Sequence, residues 1–132
     1  MIGIDSNVLV RYVVQDDPVQ SPKAAQLIES ILTEENPGFV SIVTLVETVW
    51  VLKRPLRLTD AKIAGVLRVI LRIESLVVEH EREVFAAMIL LAEGRSSFSD
   101  ALIGKLASRA GCTHTLTFDK RASRLDGFEL LS

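Results

Sequence analysis

Met1-Ile2-Gly3-Ile4-Asp5-Ser6-Asn7-Val8-Leu9-Val10-Arg11-Tyr12 opens the chain and sets the class of its fold. The short apolar run Ile2–Asp5 reads as a strand, and the pattern over Asn7–Gln15 reads as a helix that follows directly. Asp5 sits at the junction. Strand, acid, helix is how an α/β unit begins, and in such units ligands collect beyond the carboxyl ends of parallel strands.

The rest of the chain alternates in the same way. Ser21-Pro22 supplies an N-cap and a first-turn proline. Ala24, Ala25, Ile28, Ile31 and Leu32 then follow at helical spacing to about Glu35. Asn36-Pro37-Gly38 breaks the chain, and Phe39-Val40 forms a brief strand ending at Ser41. Ile42–Lys53 is a helix dense in apolar residues, stopped near Arg54-Pro55. Thr59 caps the next helix, whose stripe is Ile63, Val66, Leu67, Ile70 and Leu71. Leu76–Glu79 is a short strand, and Val84, Phe85, Met88, Leu91 and Ala92 mark a helix closing at Gly94. After the polar loop Gly94–Phe98, Ser99 is expected to cap a helix through Ala110, with Gly111 ending it. Thr113–Thr117 and Phe128–Leu131 read as strands around a helical turn over Lys120–Leu125. The expectation is one α/β domain over residues 1–132, with a mainly parallel sheet covered on both faces.

Composition fits that expectation. The chain is 48% hydrophobic and 24% charged, as globular proteins are, and 132 residues suffice for a core without disulfides. Fifteen Lys and Arg against seventeen Asp and Glu leave a net charge of −2, which excludes a general basic coat but allows a local patch. The longest apolar run, Val84–Ala92, is too short to span a bilayer. The amino terminus has Asp5 where a secretory signal needs positive charge. A lone Cys112 fits a reducing cytoplasm and reads as a small buried hydrophobe. A soluble cytoplasmic location without membrane contact is therefore expected.

Four acids stand where apolar or structured runs meet turns or helix starts: Asp5, Glu47, Asp100 and Asp119. Glu47 lies in the nearly uncharged segment Phe39–Leu52, Asp100 follows Ser99, and Asp119 follows Thr115-Leu116-Thr117-Phe118. A carboxylate near a core is costly unless paired, hydrogen-bonded or bound to a cation. No Lys or Arg is close in sequence to the first three. An all-oxygen set of this kind suits Mg²⁺ or Mn²⁺ better than zinc or copper, and such an ion serves phosphodiester hydrolysis. On this reading Asp5 and Asp100 contact the metal and Glu47 orients water or accepts its proton. Asp119 completes the site or helps hold a second ion, and Ser6, Asn7, Thr44 and Thr117 supply supporting hydrogen bonds. Taken singly, each acid has a plainer role: Asp5 and Asp119 as caps, Asp100 as a partner of the helix dipole.

The segments Ile4–Tyr12, Val40–Glu47, Phe98–Ile103 and Thr115–Lys120 together resemble the PIN-domain ribonucleases, in particular the VapC-like toxins of toxin–antitoxin pairs. The resemblance runs from the first strand to the last. It implies a three-layer α/β/α domain with a parallel sheet, acting as a Mg²⁺- or Mn²⁺-dependent endoribonuclease. Asp5, Glu47, Asp100 and Asp119 correspond to that family's acidic quartet, and Asn7 and Thr117 to its accessory polar positions. It also implies a homodimer held inactive by a cognate antitoxin, with RNA as substrate. Ser6 departs from the frequent threonine but keeps the hydroxyl.

Other features carry less. Lys53-Arg54-Pro55-Leu56-Arg57 and Lys120-Arg121 with Arg124 could follow an RNA backbone or simply face solvent, and Arg11 is expected near the acidic edge. Stacking platforms for bases are not evident, because the aromatics fall in apolar patterns. Trp50 and Tyr12 are assigned to a dimer face or antitoxin groove, at least one of them to the core, and His80 and His114 to structural or surface roles rather than catalysis. Two rivals stand: a haloacid-dehalogenase-type phosphatase, which wants a second carboxylate where Asn7 lies, and a catalytically silent protein-binding domain.

Overall fold

A computed structural model describes residues 1–132, with six α-helices and five short strands in alternation. They divide between two compact units, Met1–His80 and Glu81–Ser132. The first unit holds β1 (Ile2–Gly3), α1 (Ser6–Val14), α2 (Gln20–Gln26), β2 (Gly38–Val40), α3 (Ile42–Lys53), α4 (Asp60–Arg72) and β3 (Leu76–Val78). The second holds α5 (Glu81–Ala92), α6 (Phe98–Arg109), β4 (Thr115–Thr117) and β5 (Phe128–Leu130).

In the first unit the strand order is β1-β2-β3 and every pairing is parallel, with Gly38 opposite both Ile2 and Leu76. A central parallel strand is covered on both faces, which is why Val40 is fully buried. Gly38 is required there. An added Cβ would lie 2.8 Å from both Ile4 and Leu76 and 2.9 Å from Leu32. Leu9, Leu45, Leu52, Ile63, Leu67 and Ile70 fill the core beside the sheet. Ser41 and Thr59 cap α3 and α4 through the backbone N–H groups of Thr44 and Lys62, as their sequence positions require.

In the second unit β4 and β5 pair in parallel, and α5 packs on α6 through Val84, Ala87, Met88, Leu91, Phe98, Ala101 and Leu102. Gly111, at φ +96°, ends α6. Its N–H reaches the Ser108 carbonyl and the Cys112 N–H reaches that of Ala107, each at 3.0 Å, the paired bonds of a Schellman turn.

Several expectations are corrected. Ser97 rather than Ser99 caps α6, which puts the buried Phe98 in the first turn and Asp100 at its third position. Ser97 and Asp100 thus have the spacing of a capping box. The helix expected to run to Glu35 turns π-helical over Leu27–Ile31 and ends there. Its start has no side-chain cap on Val19; instead the Asp17 carboxylate accepts from the N–H groups of Val19 (2.9 Å) and Gln20 (2.7 Å). Cys112 is exposed, not buried. Neither Trp50 nor Tyr12 belongs to the core; Trp50 is 57% exposed. No helix is long and apolar enough to cross a membrane.

Candidate active site

The first unit builds half of the acidic set around Ser6. Asp5 is the N-cap of α1, in extended backbone, and its carboxylate accepts the Ser6 N–H at 2.8 Å. Ser6 is buried, and its hydroxyl donates to Glu47, midway along α3. One serine therefore ties two carboxylates to the first turn of α1, whose free N–H groups and dipole favour negative charge. The packing of α1 against α3 brings residues 5 and 47 to this place. Asp5 and Glu47 are both exposed, which overturns the idea that burial makes their charges costly. On α3 the buried face is Leu45, Thr48, Val49 and Leu52, and Glu47 lies on the opposite side.

The second unit carries the other two. The half-buried Asp100 lies in the first turn of α6, where its N–H donates to the Ser97 hydroxyl at 3.1 Å. Asp119 follows β4 and is exposed. Its N–H donates to the Thr117 hydroxyl at 3.0 Å, and its carboxylate accepts the Ala122 N–H at 2.8 Å. It thus caps the 3₁₀ turn Ala122–Arg124, the plainer role its position allowed.

None of the four acids is in an ion pair: the surface salt bridges are made by Asp16, Asp60, Glu83 and Glu93 with Arg11, Lys53, Arg109 and Arg95, and His114 lies 3.9 Å from Glu129. No three His, Cys, Asp or Glu side chains gather tightly enough to enclose a metal. Magnesium and manganese do not ask for such a cage, since Mg²⁺ binds through one or two carboxylates and keeps several waters. Within the first unit, Asp5 and Glu47, joined through Ser6, offer oxygen-only ligands of the kind such an ion takes.

The supporting residues sort themselves. Ser6 and Thr117 bond the set directly. Thr44 instead bonds the Ile4 carbonyl at 3.4 Å, and the Asn7 side chain makes no hydrogen bond within the chain. Arg11 is turned toward Asp16 (3.2 Å) and Gln20 (2.9 Å), and with Asn7 and Lys23 lines a cavity of about 270 Å³. His114 bonds Thr113, and His80 bonds no acid of the set. The Tyr12 hydroxyl donates to Glu29 at 2.8 Å; partial burial, and then Glu29, raise its pKa above the ordinary value. Sequence reasoning missed Ser97, although its capping-box spacing to Asp100 was visible.

A family model described as the PIN domain matches residues 2–128. No curated protein matches the chain. Six helices and parallel strands are consistent with the three-layer α/β/α arrangement of that family, and the small size is consistent with its VapC-like members. The PIN domain is a nuclease-type fold whose members are in general metal-dependent nucleases. With nearly its whole length matched, the chain belongs to the PIN-domain family.

Proposed function

We propose that the protein is a metal-dependent endoribonuclease, the toxin of a toxin–antitoxin pair, with residues 1–132 forming one PIN domain. The observation that carries this reading is a PIN-family chain with four carboxylates, Asp5, Glu47, Asp100 and Asp119, free of any cationic side-chain partner. Carboxylates left without internal compensation suit an external cation and the phosphates it accompanies.

In this reading Asp5 and Asp100 hold a Mg²⁺ or Mn²⁺ ion, and Asp119 completes the set. When bound, the ion supplies charge neutralisation at the phosphoryl group and acidifies water. Glu47 accepts the proton of the attacking water, with its carboxylate oriented by the Ser6 hydroxyl. Asp5 and Glu47 both face solvent beside the first turn of α1. The working form is a cytoplasmic homodimer silenced by its cognate antitoxin.

The test is cleavage of total RNA by purified protein with Mn²⁺, with EDTA, and by Glu47→Gln with Mn²⁺. Activity that EDTA abolishes and Glu47→Gln lowers by about 10²–10⁴-fold supports the reading. Release of phosphate from small esters without RNA cleavage would turn the assignment to a phosphatase. An inert protein that binds a partner would turn it to a regulatory domain.

A further inference from the structure

Helix α3 turns Leu45, Thr48, Val49 and Leu52 inward and leaves a different stripe in solvent: Val43, Glu47, Trp50 and the C-cap Arg54. These fall at i, i+4, i+7 and i+11, one face of a helix. Val43 is 75% exposed. A helix face that carries an apolar contact, a carboxylate, an indole and a cation in succession is not an ordinary charged surface.

The loop beyond the helix extends the stripe. Arg54 and Arg57 are exposed and join no ion pair, whereas the neighbouring Lys53 is occupied by Asp60 at 2.8 Å. Backbone bonds from Leu56 to Val51 (3.2 Å) and from Leu58 to Leu52 (2.9 Å) fasten the loop to the last turn of α3. Arg57 is held there in the left-handed region, at φ +57°, a conformation unusual for a residue other than glycine. Two arginines free of ion pairs therefore stand on a backbone held in place, just past an exposed indole.

We propose that this face of α3 is a track for single-stranded RNA, in which an unpaired base stacks on Trp50 while Arg54 and Arg57 hold the phosphates beside it. The occupant rests on the nuclease reading given above, and the inference adds the place on this chain where the strand is held. A rise of about 1.5 Å per residue places Trp50 about 4.5 Å along the helix from Glu47 and Arg54 about 10 Å from it. A nucleotide seated on the indole thus has its backbone beside the proposed proton acceptor. Trp50 could not reach a base inside a duplex, so the strand must be unpaired at this point. Unpaired cations next to an aromatic plate match an anionic strand with exposed bases better than they match an apolar protein surface. The second unit has a similar pairing of its own, for Phe118, 78% exposed, immediately precedes Asp119 and is followed by Lys120 and Arg121.

Trp50 is the only tryptophan in the chain, so its fluorescence reports on this face alone. The experiment titrates the full chain, in EDTA, with a dye-labelled single strand of about ten nucleotides and with a hairpin of similar length. Binding is read by anisotropy and by tryptophan emission. The expected result is quenching by the single strand and far less by the hairpin. Trp50→Leu should bind about tenfold more weakly, with Trp50→Phe in between. Arg54→Gln with Arg57→Gln should flatten the salt dependence by about 1.4 logarithmic units per decade, the loss of two phosphate contacts. Unchanged circular dichroism in each variant keeps these comparisons on binding. Strand binding without quenching, wild-type affinity in Trp50→Leu, or no strand binding at all overturns the proposal. So does an emission change driven by protein concentration alone, which would make the face a contact between copies. Quenching without cleavage under Mn²⁺ supports the track and sinks only the nuclease reading; cleavage without quenching does the reverse.

Discussion

The buried hydroxyl of Ser6 donates to the carboxylate of Glu47, so the first turn of α1 and the middle of α3 are joined across 41 residues of chain. Ser6→Ala removes that donor but leaves Glu47 exposed to water, which can replace it. The expected stability loss is therefore only about 1 kcal/mol, near the net value of one hydrogen bond. The effect on turnover should be larger in proportion, because a carboxylate that swings freely is a poorer proton acceptor. Ser6→Thr keeps the hydroxyl and should recover most of the activity. Urea melts and RNA cleavage on the same preparations check both effects. Equal turnover in wild type and Ser6→Ala would show that Ser6 does not position Glu47.

Gly38 is the narrowest point of the first unit's sheet. Replacing it by alanine gains about 0.5–1 kcal/mol by removing the backbone freedom of a strand glycine. Against that, the new methyl meets Ile4, Leu76 and Leu32 together, within 2.9 Å. Overpacking a filled core costs about 1–3 kcal/mol, so the cost wins. Gly38→Ala should fold with a lowered midpoint in urea and an unchanged slope. A midpoint equal to or above wild type would show that the three side chains yield freely.

Acid should act on the start of α2 through Asp17. Its carboxylate accepts from the N–H of Gln20 and then of Val19, and these bonds hold its pKa below the ordinary aspartate value of 3.8. A depressed folded-state pKa gives stability that is fully present above 3.8 and lost as pH falls through the lower folded value. Glu34 has the opposite sign: hydrogen bonding to the Glu74 carboxyl, then repulsion from it, raises its pKa above 4.5. The contribution from that pair is complete below 4.5 and disappears as pH rises through the folded value. Carboxyl NMR titration reads both directly. An Asp17 that titrates at or above 3.8 would refute the capping role, and Glu74→Gln should return Glu34 toward its ordinary range.

Much of this architecture was legible because its signals were local. Ser41 and Arg54-Pro55 bracket a charge-poor run, and α3 occupies Ile42–Lys53 between them. Thr59 and Gly111 announced a start and a stop with side chains or glycine freedom suited to those places. The misplaced cap of α6 had two serines two residues apart, and the choice between them was made by burial of Phe98, a tertiary effect. The face of Glu47 was hidden for a different reason. A helix apolar nearly all round reads as enclosed, yet Val43 and Trp50 stand in solvent. The same density of apolar residues concealed Trp50 as an exposed aromatic. Cys112 failed as a core residue because the Schellman turn sets it just past the end of α6, at the surface.

The proposed metal roles separate from the structural ones by amide substitution. Asp5→Asn keeps an oxygen to accept the Ser6 N–H, and asparagine caps helices as well as aspartate does, so α1 should remain intact. Asp100 gives its backbone N–H, not its carboxylate, to Ser97, so Asp100→Asn leaves that cap untouched. Each variant should therefore melt within about 0.5 kcal/mol of wild type, as surface changes usually do. Both should lose Mn²⁺-dependent RNA cleavage and the stabilisation that Mn²⁺ confers on wild type, which mass action makes concentration-dependent. Thermal melts across a Mn²⁺ series, with Ca²⁺ and no metal as references, measure the binding independently of catalysis. Full cleavage and a full Mn²⁺ shift in Asp5→Asn would reduce Asp5 to a helix cap, and the same result in Asp100→Asn would leave the cation no ligand among those assigned to it.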